Sequence, residues 1–376
     1  MPTTTHGPGA YSDAARCIAA LVGLWSVIAE HSGLVGAWRL MGVCRAAREG
    51  AKVWLRTLPK LVLCGGNIGR MTAYSRQVWR LDLAELRWEH VVDLLHERSA
   101  HACCAVRDRV LVLAGEIPHG DTAAMEALSY DSEEGGRMRA TDLPPLAYGP
   151  RSNHQILAVD ESESSEGQVL VIGGYNVYDP VEAVLKVDIA TGTCAPQPAT
   201  LYERVCFTAT RLRDGRVICA GGQHRQKGDR NRYAPSETAE VFGPPRGHSS
   251  DEASDDLWEW RKLPRMSVPR YLAAGCLLSD GRFAVFGGIG DDGDGTATCE
   301  VFTFEGDSGR WSSLPAMLEA RCRFSCLVVG GCVIATGGGD EVEVFEEGLE
   351  IWRRLPCDFP RPSGGALVGS ASTLMG

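Results

Sequence analysis

Residues 270–288 read Arg270-Tyr-Leu-Ala-Ala-Gly-Cys-Leu-Leu-Ser-Asp-Gly-Arg-Phe-Ala-Val-Phe-Gly287-Gly288, an arginine-led apolar run, a polar Asp280-Gly281 turn and a second apolar run closed by two glycines. Two short apolar runs joined by Asp-Gly predict an antiparallel hairpin, because a tight turn needs positive φ at its centre. The second run is continuously apolar, which for a strand means burial on both faces. Glycine then belongs where the chain turns sharply or meets another backbone so closely that a Cβ would clash.

The same phrase recurs along the chain. Apolar strands ending in a small doublet lie at Leu61–Gly66, Val110–Gly115, Val169–Gly174, Val217–Gly222, Phe283–Gly288 and Val333–Gly338, roughly fifty to sixty-five residues apart. The doublet is Gly-Gly except for Ala114-Gly115. An arginine precedes most doublets by sixteen or seventeen residues: Arg98, Arg204, Arg270 and Arg321, with Arg151 set further back by the Ser/Glu-rich insertion 160–167. After each doublet comes a third strand (Val78–Asp82, Leu128–Asp131, Leu185–Asp188, Glu240–Phe242, Glu300–Phe302, Glu343–Phe345). A fourth carries Trp88, Trp258 or Trp260, Trp311 and Trp352 in four copies. Four antiparallel strands per repeat make a propeller blade.

In this order the elements resemble the Kelch family over roughly residues 60–370. Repeats two and three lack the tryptophan. The first doublet has no Arg-led strand before it, and an orphan one, Arg361-Pro-Ser-Gly-Gly-Ala-Leu-Val, follows Trp352. The resemblance therefore implies a six-bladed, all-β propeller whose C-terminal strand completes blade one and leaves no open sheet edge. The expected divisions are a disordered 1–13, a helical 14–58, the propeller over 59–370 and a tail 371–376. In blade four, 223–236 and 243–256 read as surface loops.

Helical spacing marks residues 14–57, as at Ile18, Leu21, Val22 and Trp25. The stretch from Trp38 to Leu55, with its Val43-Cys-Arg-Ala-Ala-Arg48 element, resembles the second half of an F-box, although the Leu-Pro that opens an F-box is replaced by Leu21-Val-Gly-Leu-Trp25. That resemblance implies docking on a Skp-type adaptor of a cullin-RING (SCF-type) ubiquitin ligase through Trp25, Ile28, Leu34, Trp38, Leu40, Val43 and Trp54. The alternative is that these helices cover part of the propeller.

Composition narrows the function. The formal charge of −10 divides into about +4 over residues 1–60 and about −14 beyond, an acidic body that disfavours nucleic acid. The 14 cysteines lie in apolar runs without a C-x-x-C pair, so they read as reduced core residues, with no metal or cofactor expected and a cytoplasmic or nuclear setting. The apolar stretch Cys17–Ala29 reads as too short to span a bilayer, and no membrane partner is expected. Asp291-Asp-Gly-Asp-Gly295 lacks the closing Glu of a calcium loop and reads as a turn. The nine histidines do not recur as the ligand set a propeller oxidase would need, and no catalytic motif stands in a fitting context, so the chain reads as a binding protein and not an enzyme.

In the Kelch arrangement Arg98, Arg151, Arg204, Arg270, Arg321 and Arg361 open the innermost strands. Their guanidinium groups either ring the channel mouth for an acidic or phosphorylated protein segment, or hydrogen-bond backbone carbonyls between blades. Tyr175, Tyr178, Gln223, His224 and Ile289, just past their doublets, would add contacts. The leading expectation is the substrate receptor of an SCF-type ligase; the alternatives are a Kelch scaffold without a ligase link and, further off, a propeller oxidase.

Overall fold

The computed structural model describes residues 9–374 apart from 69–72, 132–136, 161–166, 177–178, 227–228, 246–256, 340, 359 and 361–366. Six four-stranded antiparallel sheets form the blades of a closed ring. Innermost strands are Leu367–Leu374, Ala102–Val106, Gln155–Asp160, Thr208–Arg211, Ala274–Leu277 and Ser325–Val329 for blades one to six. Second strands follow at Lys60–Ile68, Arg109–Ile117, Gln168–Ile172, Val217–Ala220, Phe283–Phe286 and Cys332–Thr336. Third strands are Ala73–Asp82, Gly120–Asp131, Val184–Asp188, Ala239–Gly243, Cys299–Glu305 and Glu341–Glu346. The outermost are Arg87–Arg98, Arg137–Leu143, Cys194–Gln197, Glu259–Leu263, Ser308–Leu314 and Ile351–Asp358.

Closure occurs as the sequence implies. The C-terminal strand pairs with the first, Leu61 opposite Thr373 and Val62 opposite Ser372. It runs on to Leu374, so residues 371–374, expected in the tail, belong to the ring. Second strands are buried on both sides, as in Val110–Ala114 and Phe283–Phe286, because each lies between two neighbouring blades.

The tryptophans brace the seams. Trp260, Trp311 and Trp352 donate their indole N–H to the carbonyls of Pro198, Pro264 and Pro315, at the end of the preceding blade, over 2.8–3.0 Å. Each also contacts the phenylalanine opposite it on its own third strand (Phe242, Phe302, Phe345) at centroid distances of 5.1–5.2 Å. Trp260, not Trp258, is thus the repeat position in blade four. In blades two and three Ala140 and Cys194 occupy that register.

Two helices precede the ring: α1 (Gly9–Leu40), bent at left-handed Gly33, and α2 (Arg45–Leu55). α1 begins within the segment expected to be disordered. The helices cross where Gly50 lies so close that a Cβ there would stand 2.7 Å from the Val22 carbonyl oxygen. Ala29, Leu34, Val35, Ala37, Ala51 and Leu55 then share one apolar cluster with Leu61, Leu81 and Leu83 of blade one and Val329, Ile334 and Val344 of blade six. Trp38 donates to the Leu83 carbonyl at 2.8 Å, and Lys52 and Arg56 both reach Glu85. These contacts fall on the turns around Leu83 and Gly330, opposite the face that carries the doublet loops. The helices therefore seal the blade-six to blade-one junction from below.

Leu34 is fully buried in this contact. Leu34→Ala is expected to lower the unfolding free energy by about 2–5 kcal/mol in urea denaturation. Helices held off the propeller would give a change within about 0.5 kcal/mol.

Candidate functional site

The arginine phrase builds the ring and is not its binding surface. Arg98, Arg151, Arg204, Arg270 and Arg321 are 0–1% exposed. In four blades the guanidinium meets a buried third-strand glutamate that stands opposite the residue two before the doublet: Arg98 with Glu126, Arg204 with Glu240 (2.6 Å), Arg270 with Glu300 (2.9 Å) and Arg321 with Glu343 (2.8 Å). The same groups donate to the carbonyls of Ala114, Gly221, Gly287 and Gly337, the first residue of each doublet. Each glutamate also accepts backbone N–H groups from the incoming crossover, as Glu126 does from Leu95 and His96 and Glu300 from Ser267 and Val268. These cations are neutralised and enclosed, which corrects the expectation of an arginine-lined mouth; their bonds to carbonyls run within the arginine's own blade and not between blades. Arg361 lies outside the described residues.

The carbonyl oxygen of each arginine faces the previous blade. Those of Arg151, Arg204, Arg270 and Arg321 accept the N–H of Gly115, Gly174, Gly222 and Gly288. A Cβ on Gly173, Gly221 or Gly287 would stand 2.6 Å from the carbonyl oxygen of Arg204, Arg270 or Arg321. The glycines are required by that approach.

Blade three departs from the scheme. Leu185 stands opposite Val171, where other blades place glutamate. Arg151 bonds the Gly173 carbonyl (2.9 Å) but has no carboxylate partner among the described residues, and burial pulls its pKa below the usual guanidinium value.

Beyond each arginine lies a residue with left-handed backbone: Ala100, Asn153, Cys206, Leu272 and Arg323, at φ 48–55°. This conformation is costly for a residue with a Cβ, and here it turns each N–H toward the preceding blade. Asn153 donates to Ala100 (2.8 Å), Cys206 to Asn153 (3.1 Å), Leu272 to Cys206 (2.8 Å) and Arg323 to Leu272 (2.9 Å), a backbone belt around the channel mouth. Short bridges place the post-doublet residues beside it: Ser99 pairs Glu116, Ser152 Tyr175, Val205 Gln223 and Tyr271 Ile289. Tyr175, Gln223 and Ile289 thus stand beside the belt in blades three, four and five, partly exposed, and Glu116 holds the same register in blade two. Glu116 was missed because nothing apolar or aromatic drew notice to it. His224 sits next along, half-buried in a hairpin opposite Ala234. Tyr178 lies outside the described residues.

The surroundings are tyrosine-rich and of mixed charge. Tyr175 meets Tyr233 edge-on at 6.1 Å, and Arg225 ion-pairs with Asp179 at 2.7 Å, clamping the loops of blades three and four together. Burial, with Cys206 and Tyr233 nearby, pushes the Tyr175 pKa upward. Burial beside Asp121 raises that of Glu116, opposed by the Asn153 hydrogen bond and by Arg323. Arg323 itself has no ion pair among the described residues. Below the mouth a channel of about 390 Å³ is lined by innermost-strand residues including His101, His154 and Cys206. No metal-binding group of three or more His, Cys, Asp or Glu occurs among the described residues. Asp291–Gly295 forms a turn, with Gly293 N–H on the Gly290 carbonyl.

The adaptor-docking set divides against expectation. Leu34 is buried, and Trp38, Leu40 and Trp54 pack on the propeller cluster. Trp25 and Ile28 are half-buried. Val43 alone is well exposed, at 62%. Among the described residues of α1, the exposed large apolar ones are Leu21, Leu24 and Val27. Ala20–Leu40 is long and apolar enough to cross a membrane by length and composition, which corrects the shorter estimate; its second half lies against the ring.

Ring, closure and Arg–Gly-Gly seams define a Kelch-type six-bladed propeller. No family model matches the chain. Kelch domain-containing protein 8B of Rattus norvegicus is 30% identical over 164 residues, 42% of this chain and 42% of that protein. Kelch-like protein 41b of Danio rerio is 27% identical over 126 residues, 30% of this chain and 20% of that protein. The chain thus spans less than half the length of these curated relatives. The solved structure of YjhT matches with a TM-score of 0.55 at 13% identity, covering 74% of this chain and 88% of that one, a likeness of fold. With the six-bladed ring, these similarities support the Kelch-repeat family.

Two outcomes follow from the buried polar groups. Leu185→Glu is expected to raise stability by about 1 kcal/mol or more in chemical denaturation, by giving Arg151 the carboxylate its counterparts have; a loss would show that the site has no room for one. His154, whose pKa burial, Arg151 and His101 lower from 6.5 to about 3, stays neutral in the fold while the unfolded chain protonates. Its contribution is full above about pH 6.5 and declines as pH falls toward 3, and His154→Gln should flatten that part of the stability profile.

Proposed function

We propose that the chain is a protein-binding propeller that takes a partner segment on the face bearing the doublet loops. The observation that carries this is the mouth itself, where Tyr175, Tyr233, Tyr271, Gln223, Ile289 and Arg323 converge, partly exposed, on a rigid backbone belt. Tyrosines combine large contact area with few rotors, and an arginine beside them adds a directed charge. Such a face suits recognition more than chemistry, and any catalysis belongs to the partner.

The partner segment is acidic or phosphorylated. Its cationic counterpart is Arg323 together with the blade-four loop, whose sequence carries His224, Arg225, Lys227, Arg230 and Arg232. Glu116 and Asp121 on blade two repel the same ligand and orient it toward blades four to six. The described cysteines are free thiols, in keeping with a cytoplasmic or nuclear setting.

A role as receptor for an SCF-type ligase is the second reading, favoured by the row Leu21, Leu24 and Val27 on α1, exposed by 49–57%. An adaptor would dock there and at Val43, not on Trp38 or Trp54. Affinity capture with the full-length chain tests both. Arg323→Glu combined with Tyr175→Ala should weaken retention of the propeller partner about tenfold or more with the thermal melt preserved. Unchanged capture would remove the mouth from consideration. Skp-type adaptor and cullin that co-purify, and are lost with Leu21→Ser/Leu24→Ser/Val27→Ser, would support the ligase reading; their absence from the wild-type capture would leave a scaffold.

A further inference from the structure

From Ala20 to Ala29 only one side of α1 is covered. Its inner flank packs on α2, where Gly50 lies against Val22, Trp25 and Ser26, and Ala29 is buried. The outer flank presents Ala20, Leu21, Leu24 and Val27 to solvent, the last three exposed by 49%, 57% and 50%, with Ile28 partly so. No charged side chain stands between Arg16 and Glu30. A helix without a polar face is normally enclosed on every side.

Ala20–Leu40 has the length and composition of a membrane span, but this fold does not let it cross a bilayer. Beyond the bend at Gly33, Leu34 and Ala37 are fully buried in the cluster shared with blades one and six. The uncharged run 17–29 that remains is about 20 Å long as a helix, against a hydrocarbon core of about 30 Å. It is long enough to lie in the membrane surface and too short to traverse it.

The chemistry of the face favours lipid. Protein interfaces combine an apolar centre with hydrogen-bonding groups, and none of the exposed residues of this stripe carries a side-chain donor or acceptor. Acyl chains require none, and the helix satisfies its own backbone. Arg39, Arg45 and Arg48 of the same helical segment are exposed and form no ion pair among the described residues, Arg48 reaching only the Met41 carbonyl. Residues 1–60 carry about +4 against about −14 beyond. Because salt screens charge over about 8 Å, a membrane at the helices meets their local excess and not the acidic ring.

We propose that the helical segment is a peripheral membrane anchor, with the Leu21, Leu24 and Val27 stripe among the acyl chains of a bilayer that contains anionic lipid and the arginines at its headgroups. This replaces the expectation of no membrane partner. The helices hold to the side of the ring opposite the doublet loops, so a bilayer there leaves the mouth open to its partner segment. An adaptor protein on the same stripe is the competing occupant.

The test sediments the full-length chain, with no other protein present, on vesicles of phosphatidylcholine alone and of phosphatidylcholine with phosphatidylserine. Retention on the anionic vesicles is expected, several-fold above that on the neutral ones and falling with added salt. Leu21→Ser/Leu24→Ser/Val27→Ser should reduce it about tenfold or more with the thermal melt preserved, since these side chains are exposed in the fold. Arg45→Glu/Arg48→Glu should reduce retention on the anionic vesicles about tenfold and leave the neutral ones unchanged. A wild-type chain that stays in the supernatant with both kinds of vesicle, or a serine variant that sediments like the wild type, overturns the proposal. Arg323→Glu with Tyr175→Ala should sediment as the wild type does, so the outcome here is read independently of the partner reading at the mouth.

Discussion

The structure depends on one contact repeated around the ring, the approach of an arginine's backbone carbonyl to the glycine doublet of the blade before it. At 2.6 Å from where a Cβ would be, the carbonyls of Arg204, Arg270 and Arg321 leave room for nothing but glycine at 173, 221 and 287. The side chain of the same arginine turns the other way, into its own blade, to the doublet carbonyl and the third-strand glutamate. One residue thus ties two blades through its main chain and one blade through its side chain. The charge is enclosed, and an enclosed guanidinium is tolerable only with a carboxylate and carbonyls around it. Arginine, doublet and glutamate are one device, which is why they recur together.

That economy decides where binding can reside. Groups consumed by the seams are constant from blade to blade and hidden. The residues immediately after them are free to differ, because the bridges that position Glu116, Tyr175, Gln223 and Ile289 use only backbone atoms. A rigid frame with interchangeable side chains is what a recognition surface requires. The left-handed belt from Ala100 to Arg323 belongs to the frame. Its strain is offset by four backbone hydrogen bonds between blades.

Much of this was legible in the sequence. Apolar runs, Asp-Gly turns and doublets located the strands, and an orphan C-terminal run foretold closure, because each is set by local chemistry. The partner of the arginines was less so. Glu240, Glu300 and Glu343 stood in plain view, but only register shows that they point at Arg204, Arg270 and Arg321 and not at solvent. The choice between Trp258 and Trp260 is likewise a matter of register, since a shift of one or two residues changes what a strand side chain faces. Helical periodicity in the N-terminal segment gave an apolar stripe without saying what it meets. Leu34, Trp38 and Trp54 meet blades one and six, so Leu21, Leu24 and Val27 are left exposed instead of the expected docking set.

Blade three shows what the device costs to abandon. Leu185 in place of glutamate leaves Arg151 without a carboxylate partner among the described residues, Lys186 stands where blades four, five and six place valine, and Cys194 in place of tryptophan leaves no indole brace to the preceding blade. Each loss alone would weaken a small repeat, yet the ring holds. The remaining five blades, the C-terminal strand and the helical seal under the junction supply the constraint that blade three lacks. A closed ring distributes stability over all its seams, so one blade can drift from the pattern while the others hold it in register.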